Sequence, residues 1–370
     1  MLAEKEKTRR GRAGLYITVI LISAAVFSIA AFYVLRGNAA FAERAERNFA
    51  LPVRSAFGSL SSRVKFSVAE SLCAASLIAF AAYTAVSASR IKRSDKKMRE
   101  AARRILTLAL CVAYIWSAFC WLWGMAGSAP KISESAAFSQ KNVTAEDLEA
   151  VTSKFLSRAN ALASQMERDA DGGAAVDIDA LIFTAPTLYD GIKEEFALPD
   201  APTPVPKRMA FPQVMSALGI TGFYFPLTGE AHINADAPSA TVPFTAAHEL
   251  AHALGIASEQ ECNFLGIAAC LASNDAAYEY SGCLCGLIYL MNALRKSDIE
   301  AWTRLRSEFS PQLEADWREN AAYCSDVKSR VKTVSDSFYD GYLKSSGQPL
   351  GMLSYDACVE LLVLYYRSAG

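Results

Sequence analysis

Three apolar runs in the first third of the chain restrict its fold more than any other feature. Gly14–Leu35 carries no charge, Phe66–Ala88 is interrupted only by Glu70 near its start, and Ile105–Ala126 is uncharged, with Trp116, Trp121 and Trp123 in its second half. Each can cross a hydrocarbon core of ~30 Å as a helix, which takes about 20 residues. A cleaved signal peptide is the alternative for the first run, but that run exceeds the usual apolar length of about 7–15 residues and lacks a small-residue cleavage site. The expectation is a membrane region over residues 1–127, with transmembrane helices at about 14–35, 66–88 and 105–126, and the lipid bilayer as a partner.

Lysines and arginines orient these spans. Lys5, Lys7, Arg9, Arg10 and Arg12 precede the first; Arg90, Lys92, Arg93, Lys96, Lys97, Arg99, Arg103 and Arg104 lie around the loop between the second and third. Both groups belong on the cytoplasmic side under the positive-inside rule. Three spans then place the N-terminus in the cytoplasm and the rest of the chain outside the cytoplasmic (inner) membrane. The first loop counts against this, because it also holds Arg36, Arg44, Arg47, Arg54, Arg63 and Lys65, alongside Glu43 and Glu46.

Residues 128–143 are polar and read as a linker, followed by a domain over 144–370. Thr144, with Asp147 three residues on, caps a helix expected to run to Gly172-Gly173. Leu198–Pro212 is Pro-rich and reads as an extended loop. "ITGFYFPLTGEAHINAD" alternates β-branched and aromatic residues about a Thr-Gly turn, a strand or short hairpin. From Val242 onward the period is helical. The fold class expected is mainly α, with three N-terminal transmembrane helices before an α+β domain that has a small sheet and a helical C-terminal half. A net charge of −1 and no basic stripe with interleaved aromatics argue against nucleic acid. Of the nine cysteines, Cys73, Cys111 and Cys120 lie in spans, and the pairing of the rest cannot be read from sequence. "GCLCG" reads as small-residue helix packing.

"FTAAHELAHALGIASEQECNF" carries the chemistry. On a helix His248 and His252 share one face a turn apart, so both imidazoles can hold one metal ion. Glu249 is then placed to act as a base toward a water that zinc has acidified. Zn2+, one per chain, is the expected cofactor. Gly255 stops the helix and Ser258 caps the next. A third ligand comes from Glu259 or Glu261. Glu261 sits at the capping-box position after Ser258 and shares its face with core residues. Glu259 shares its face with Cys262, Asn263, Gly266 and Cys270, small or polar residues that allow close approach, and is favoured. Asn263, one turn on, is placed to orient a ligand.

HELAH followed by E-x-x-C-N-x-x-G is similar to the glutamate-zincin metallopeptidase pattern, with Cys262 where a small alanine is more usual. "FSVAES", "GFYFPLTGEAHIN", "FTAAHELAHALGIASEQECNFLG" and "FYDGYLKSSGQPLGMLSYDACVELL" together resemble the bacterial membrane family catalogued as domain of unknown function 3810. The resemblance implies three N-terminal spans and an extracytoplasmic zincin-like domain, and it names no substrate. By analogy with zincins, the strand before the active helix pairs with an extended peptide, which would make Glu230, His232 and Asn234 substrate-binding. The same analogy asks for an oxyanion donor, with Tyr278, Tyr280, Tyr339 and Tyr342 as candidates. The expected activity is zinc-dependent hydrolysis of peptide bonds in a peptide or protein substrate. The alternative is a non-catalytic zincin-like receptor or assembly factor of the cell envelope.

Overall fold

The computed structural model describes residues 2–134, 138, 143–331 and 354–367. Helix α1 (Leu2–Leu35) is followed by α2 (Ala39–Ala45), a π-helical turn (Glu46–Ala50) and α3 (Leu51–Ser61). Helices α4 (Val68–Arg93) and α5 (Lys97–Phe119) then form a hairpin, and α5 runs on through a second π-helical turn (Cys120–Gly124). Among the described residues, three helices are long and apolar enough to cross a membrane, over Tyr16–Leu35, Val68–Arg93 and Lys97–Gly124. Local signals account for α4: Ser67 caps it by accepting from the Glu70 N–H, Glu70 lies in the first turn, and Arg90, Lys92 and Arg93 lie in the last. That charge order complements the helix dipole.

The connector between the first two long helices is not a charged loop. It is helical, and it packs between the apolar helices and the rest of the chain. Arg54 is fully buried, ion-paired with Glu46, and donates to the Leu122 carbonyl. Its guanidinium lies 5.4 Å from the Trp123 ring centroid. Buried charge survives only when paired and hydrogen-bonded, and Glu46 supplies the pairing.

The remaining elements are α6 (Ala145–Ala163), α7 (Ile178–Thr184), β1 (Lys207–Arg208), α8 (Pro212–Ala217), β2 (Gly222–Phe225), β3 (Glu230–Ile233), α9 (Val242–Ala253), α10 (Glu259–Leu271), α11 (Ala276–Ser297), α12 (Ile299–Ser307), α13 (Pro311–Val331) and α14 (Ser354–Tyr366). Thr144 and Asp147 form a complete capping box on α6. That helix ends at Ala163, earlier than Gly172-Gly173, because Arg168 pairs with Ala174 in an isolated bridge around a turn held by Asp169. The described part of 128–143 is no free linker: Ile132 and Val143 pack on the core, and Phe138 is buried edge-on against Phe264.

The sheet order is β1-β3-β2, with β1 parallel and β2 antiparallel to β3. Thr228-Gly229 turns the β2–β3 hairpin, and Gly229 takes φ +66. A Cβ there would lie 2.5 Å from the Gly58 nitrogen, so this turn and α3 meet backbone to backbone. Ala231 and Ile233 on β3 face the main core, which α6, α9, α10, α11 and α14 enclose. "GCLCG" lies inside this core: a Cβ on Gly282 would be 2.6 Å from Cys270 Cβ, and one on Gly286 would be 2.4 Å from the Phe155 ring. No disulfide joins the cysteines of the described residues.

Candidate metal centre

Helix α9 is buried along almost its whole length, which its run of alanines and leucine permits. Gly255, at φ +92, turns the chain after it, and α10 doubles back along α9. The antiparallel match is close: a Cβ on Gly266 would lie 3.2 Å from the His248 nitrogen. This hairpin brings Glu259, in the first turn of α10, level with both histidines. His248 Nε2 lies 3.2 Å from His252 Nε2 and 3.1 Å from Glu259 Oε2, and His252 Nε2 lies 3.5 Å from Glu259 Oε1. These three residues are the one group of metal-ligating side chains that converges among the described residues.

The other ring nitrogens have acceptors. His248 Nδ1 is 2.9 Å from Asn263 Oδ1, and His252 Nδ1 is 2.7 Å from the Ile256 carbonyl. Both acceptors favour a proton on Nδ1, which leaves two Nε2 lone pairs and a carboxylate facing one point. Lone pairs so close repel unless a cation lies between them. A tetrahedral ion bound at ~2.05 Å would hold its donors about 3.3 Å apart, and the three separations bracket that value.

Glu261 does not join this group. It reaches out to accept the Ser133 N–H at 2.8 Å, and Ser258 makes no side-chain cap, so the expected capping box is absent. Burial raises its pKa. For Glu259, burial opposes the charge, but the neighbouring His252 and His248 hold it far below the usual carboxylate range. His252 shows the converse. Burial alone would lower its pKa, and Cys262 and Glu259 reverse the sign. The Cys262 thiol is itself pushed up to about 12 by burial and carries no charge at neutral pH, so Glu259 is the working counter-charge.

Glu249 is 5% exposed, and its Oε2 has no hydrogen-bond partner. Burial raises its pKa to about 7, which places its proton exchange at neutral pH. Gly222 leaves it space, since a Cβ there would meet Glu249 Oε1 at 2.6 Å.

The strand residues fall elsewhere. β3 is the central strand, with partners along both edges, so a peptide cannot pair with it. Glu230 accepts from the Val68 and Ala69 N–H groups at the N-terminus of α4, from Thr228 and from Lys207. Burial opposes its charge, but these hydrogen bonds hold the carboxyl below its ordinary range. His232 Nε2 lies 2.8 Å from Ser67 Oγ and its ring stacks on Phe223 at 4.2 Å; burial lowers its pKa to about 4. Asn234 donates to Pro212, Ser216 and Ile220 and accepts from Asp236. All three therefore serve the fold, the first two by anchoring α4. Glu70 does likewise, accepting the Ala210 N–H.

The edge strand beside α9 is β2. In its register Gly222 and Tyr224 lie opposite Ile233 and Ala231, and so face the same way as those core residues. Trp123 sits 5.6 Å from the Tyr224 ring and 5.7 Å edge-on from the His252 ring. Sequence reasoning missed Gly222, Tyr224 and Trp123; alternation along "GFYF" was the available signal for the first two. Tyr278 and Tyr280 are core tyrosines bonded to Leu181 and Asp316, and Tyr339 and Tyr342 lie outside the described residues.

Neither a curated protein nor a solved structure matches this sequence. A family model does, over residues 46–363, from the glutamate that pairs with Arg54 through the α9–α10 hairpin to α14. The chain belongs to the family described as "Protein of unknown function (DUF3810)".

Proposed function

We propose that this chain is a membrane-anchored, zinc-dependent metallopeptidase of zincin-like type, with His248, His252 and Glu259 holding the ion. The observation that carries the reading is the convergence of two Nε2 atoms and a carboxylate at tetrahedral-donor separations, beside the buried Glu249. Zinc supplies Lewis acidity, acidifying water and polarising a carbonyl. Asn263 and the Ile256 carbonyl hold the imidazole tautomers, which keeps both Nε2 atoms free as ligands. Glu249 takes a proton from the attacking water and passes it to the leaving amide nitrogen. One C–O bond forms, one C–N bond breaks, and an acid and an amine leave. An extended substrate pairs with the open edge of β2, where Gly222 and Tyr224 face α9.

We place the domain outside the cytoplasmic membrane. The arginines of the first loop were the objection to that orientation. Arg54 is internal and neutralised by Glu46, and Arg47 pairs with Glu43 on the surface. That leaves Arg36, Arg44, Arg63 and Lys65 in the first loop, against five basic residues before the first span and eight around the α4–α5 turn, so the bias still favours this orientation.

The test is zinc stoichiometry by elemental analysis of purified protein. The reading expects about one zinc per chain, lost in His252→Ala and kept in Glu249→Gln, with peptide hydrolysis lost in both. Metal-free wild type purified without chelator would sink it, and zinc without hydrolysis of any peptide would favour a non-catalytic receptor.

A further inference from the structure

The lipid-facing surface and the metal-ligating residues lie unusually close. On α5 the exposed apolar side chains end at Trp116, and from Ser117 to Ala126 the residues are half-buried or buried. Val34 on α1 and Phe66 just before α4 are exposed at the same end of the helices. Trp116 and Trp123 are two turns apart, about 10 Å along a helix. The Trp123 ring then touches His252 edge-on at 5.7 Å. The site thus stands on the order of 15 Å beyond the hydrocarbon edge, where the headgroup layer alone takes ~5–7 Å.

That height is locked. Glu230 and His232 hold the first turn of α4, Lys207 donates to the Ser61 and Phe66 carbonyls, and Arg54 ties the connector to Leu122. None of these contacts allows the domain to lift away from the helices without exposing buried charge.

From this geometry, and resting on the peptidase reading, we propose that the substrate is a polypeptide anchored in the same bilayer and cut within a few residues of its anchor. An extended chain rises ~3.3 Å per residue, so about five residues span the height of the site. A folded soluble protein would press on lipid before its backbone reached the histidines, whereas a segment emerging beside them arrives already extended. The anchor is either a transmembrane helix or an acyl chain, since both deliver the same peptide at the same height.

The experiment uses the full-length protein in liposomes with a degenerate extension of about 20 residues, ~65 Å when extended. The extension is presented behind a transmembrane helix, behind a palmitoyl chain, or free in solution, and cut positions are read by mass spectrometry against a Glu249→Gln blank. Cuts confined to the eight or so positions nearest either anchor, with the free peptide cleaved at least about tenfold more slowly, support the proposal and show which anchor serves. Cuts spread evenly along the extension, or equal cleavage of the free peptide, overturn it and leave the peptidase reading standing. No cutting of any form by zinc-loaded protein overturns both.

Discussion

Asn263 touches His248 through a single contact, Nδ1 at 2.9 Å, and on the proposed reading that contact sets which nitrogen would face the ion. Asn263→Ala is expected to weaken zinc binding about 10- to 100-fold, read by competition with a chromogenic chelator. Unchanged affinity would remove its orienting role. Glu249 makes a separate prediction in metal-free protein. Its carboxyl moves from an ordinary 4.5 to about 7 on burial, so between those values the native state binds the extra proton. Stability therefore falls as pH rises through this window and is flat above it. Glu249→Gln does not titrate, so it should be more stable than wild type above pH 7 by on the order of 3 kcal/mol, and no more stable at pH 4. Denaturant melts of chelator-treated protein at both pH values check this, and a pH-independent difference would contradict it.

β2 and α9 touch where Gly222 faces Glu249. A methyl at Gly222 would lie 2.6 Å from both Glu249 Oε1 and Thr245 Cγ2. Neither the packed helix nor the paired strand can yield, so the carboxylate must move. Gly222→Ala is expected to lose about 100-fold or more in kcat, the cost of misplacing a catalytic group by ~1 Å, with zinc content unchanged. Retained turnover would show that Glu249 does not act from this position. The neighbouring strand shows why alternation alone misled. Glu230, His232 and Asn234 do share one face, but it is the face that receives α4 and α8, not the cleft.

Across the molecule, the connector is the joint between the apolar helices and the helical domain; the buried Arg54–Glu46 pair holds it internally, and Arg54 donates from it to the Leu122 carbonyl. Arg54→Met alone leaves Glu46 buried and unpaired, and should cost about 3–5 kcal/mol. Arg54→Met combined with Glu46→Leu should recover most of that loss. Thermal melts in detergent check the comparison; equal losses in the single and double variants would show that packing, not charge, governs the joint.

Much of this was legible without coordinates because it is written in short-range terms. Apolar length marks the three candidate spans, Thr144 and Asp147 mark the start of α6, and an i, i+4 spacing puts His248 and His252 on one face. The helix stop at Gly255 and the small face of α10 were readable for the same reason. Other features depend on which distant surfaces meet, and no local period encodes that. Glu259 stands apart from Glu261 only because α10 folds back antiparallel on α9. β3 is central rather than exposed only because Lys207–Arg208 pairs along its other edge. Arg54 reads as a loop charge in sequence and is an internal ion pair in space. Residue type and spacing bring His248 and His252 onto one face, while the closeness of that face to the end of the third apolar helix exists only because Trp123, 129 residues before His252, packs against its ring.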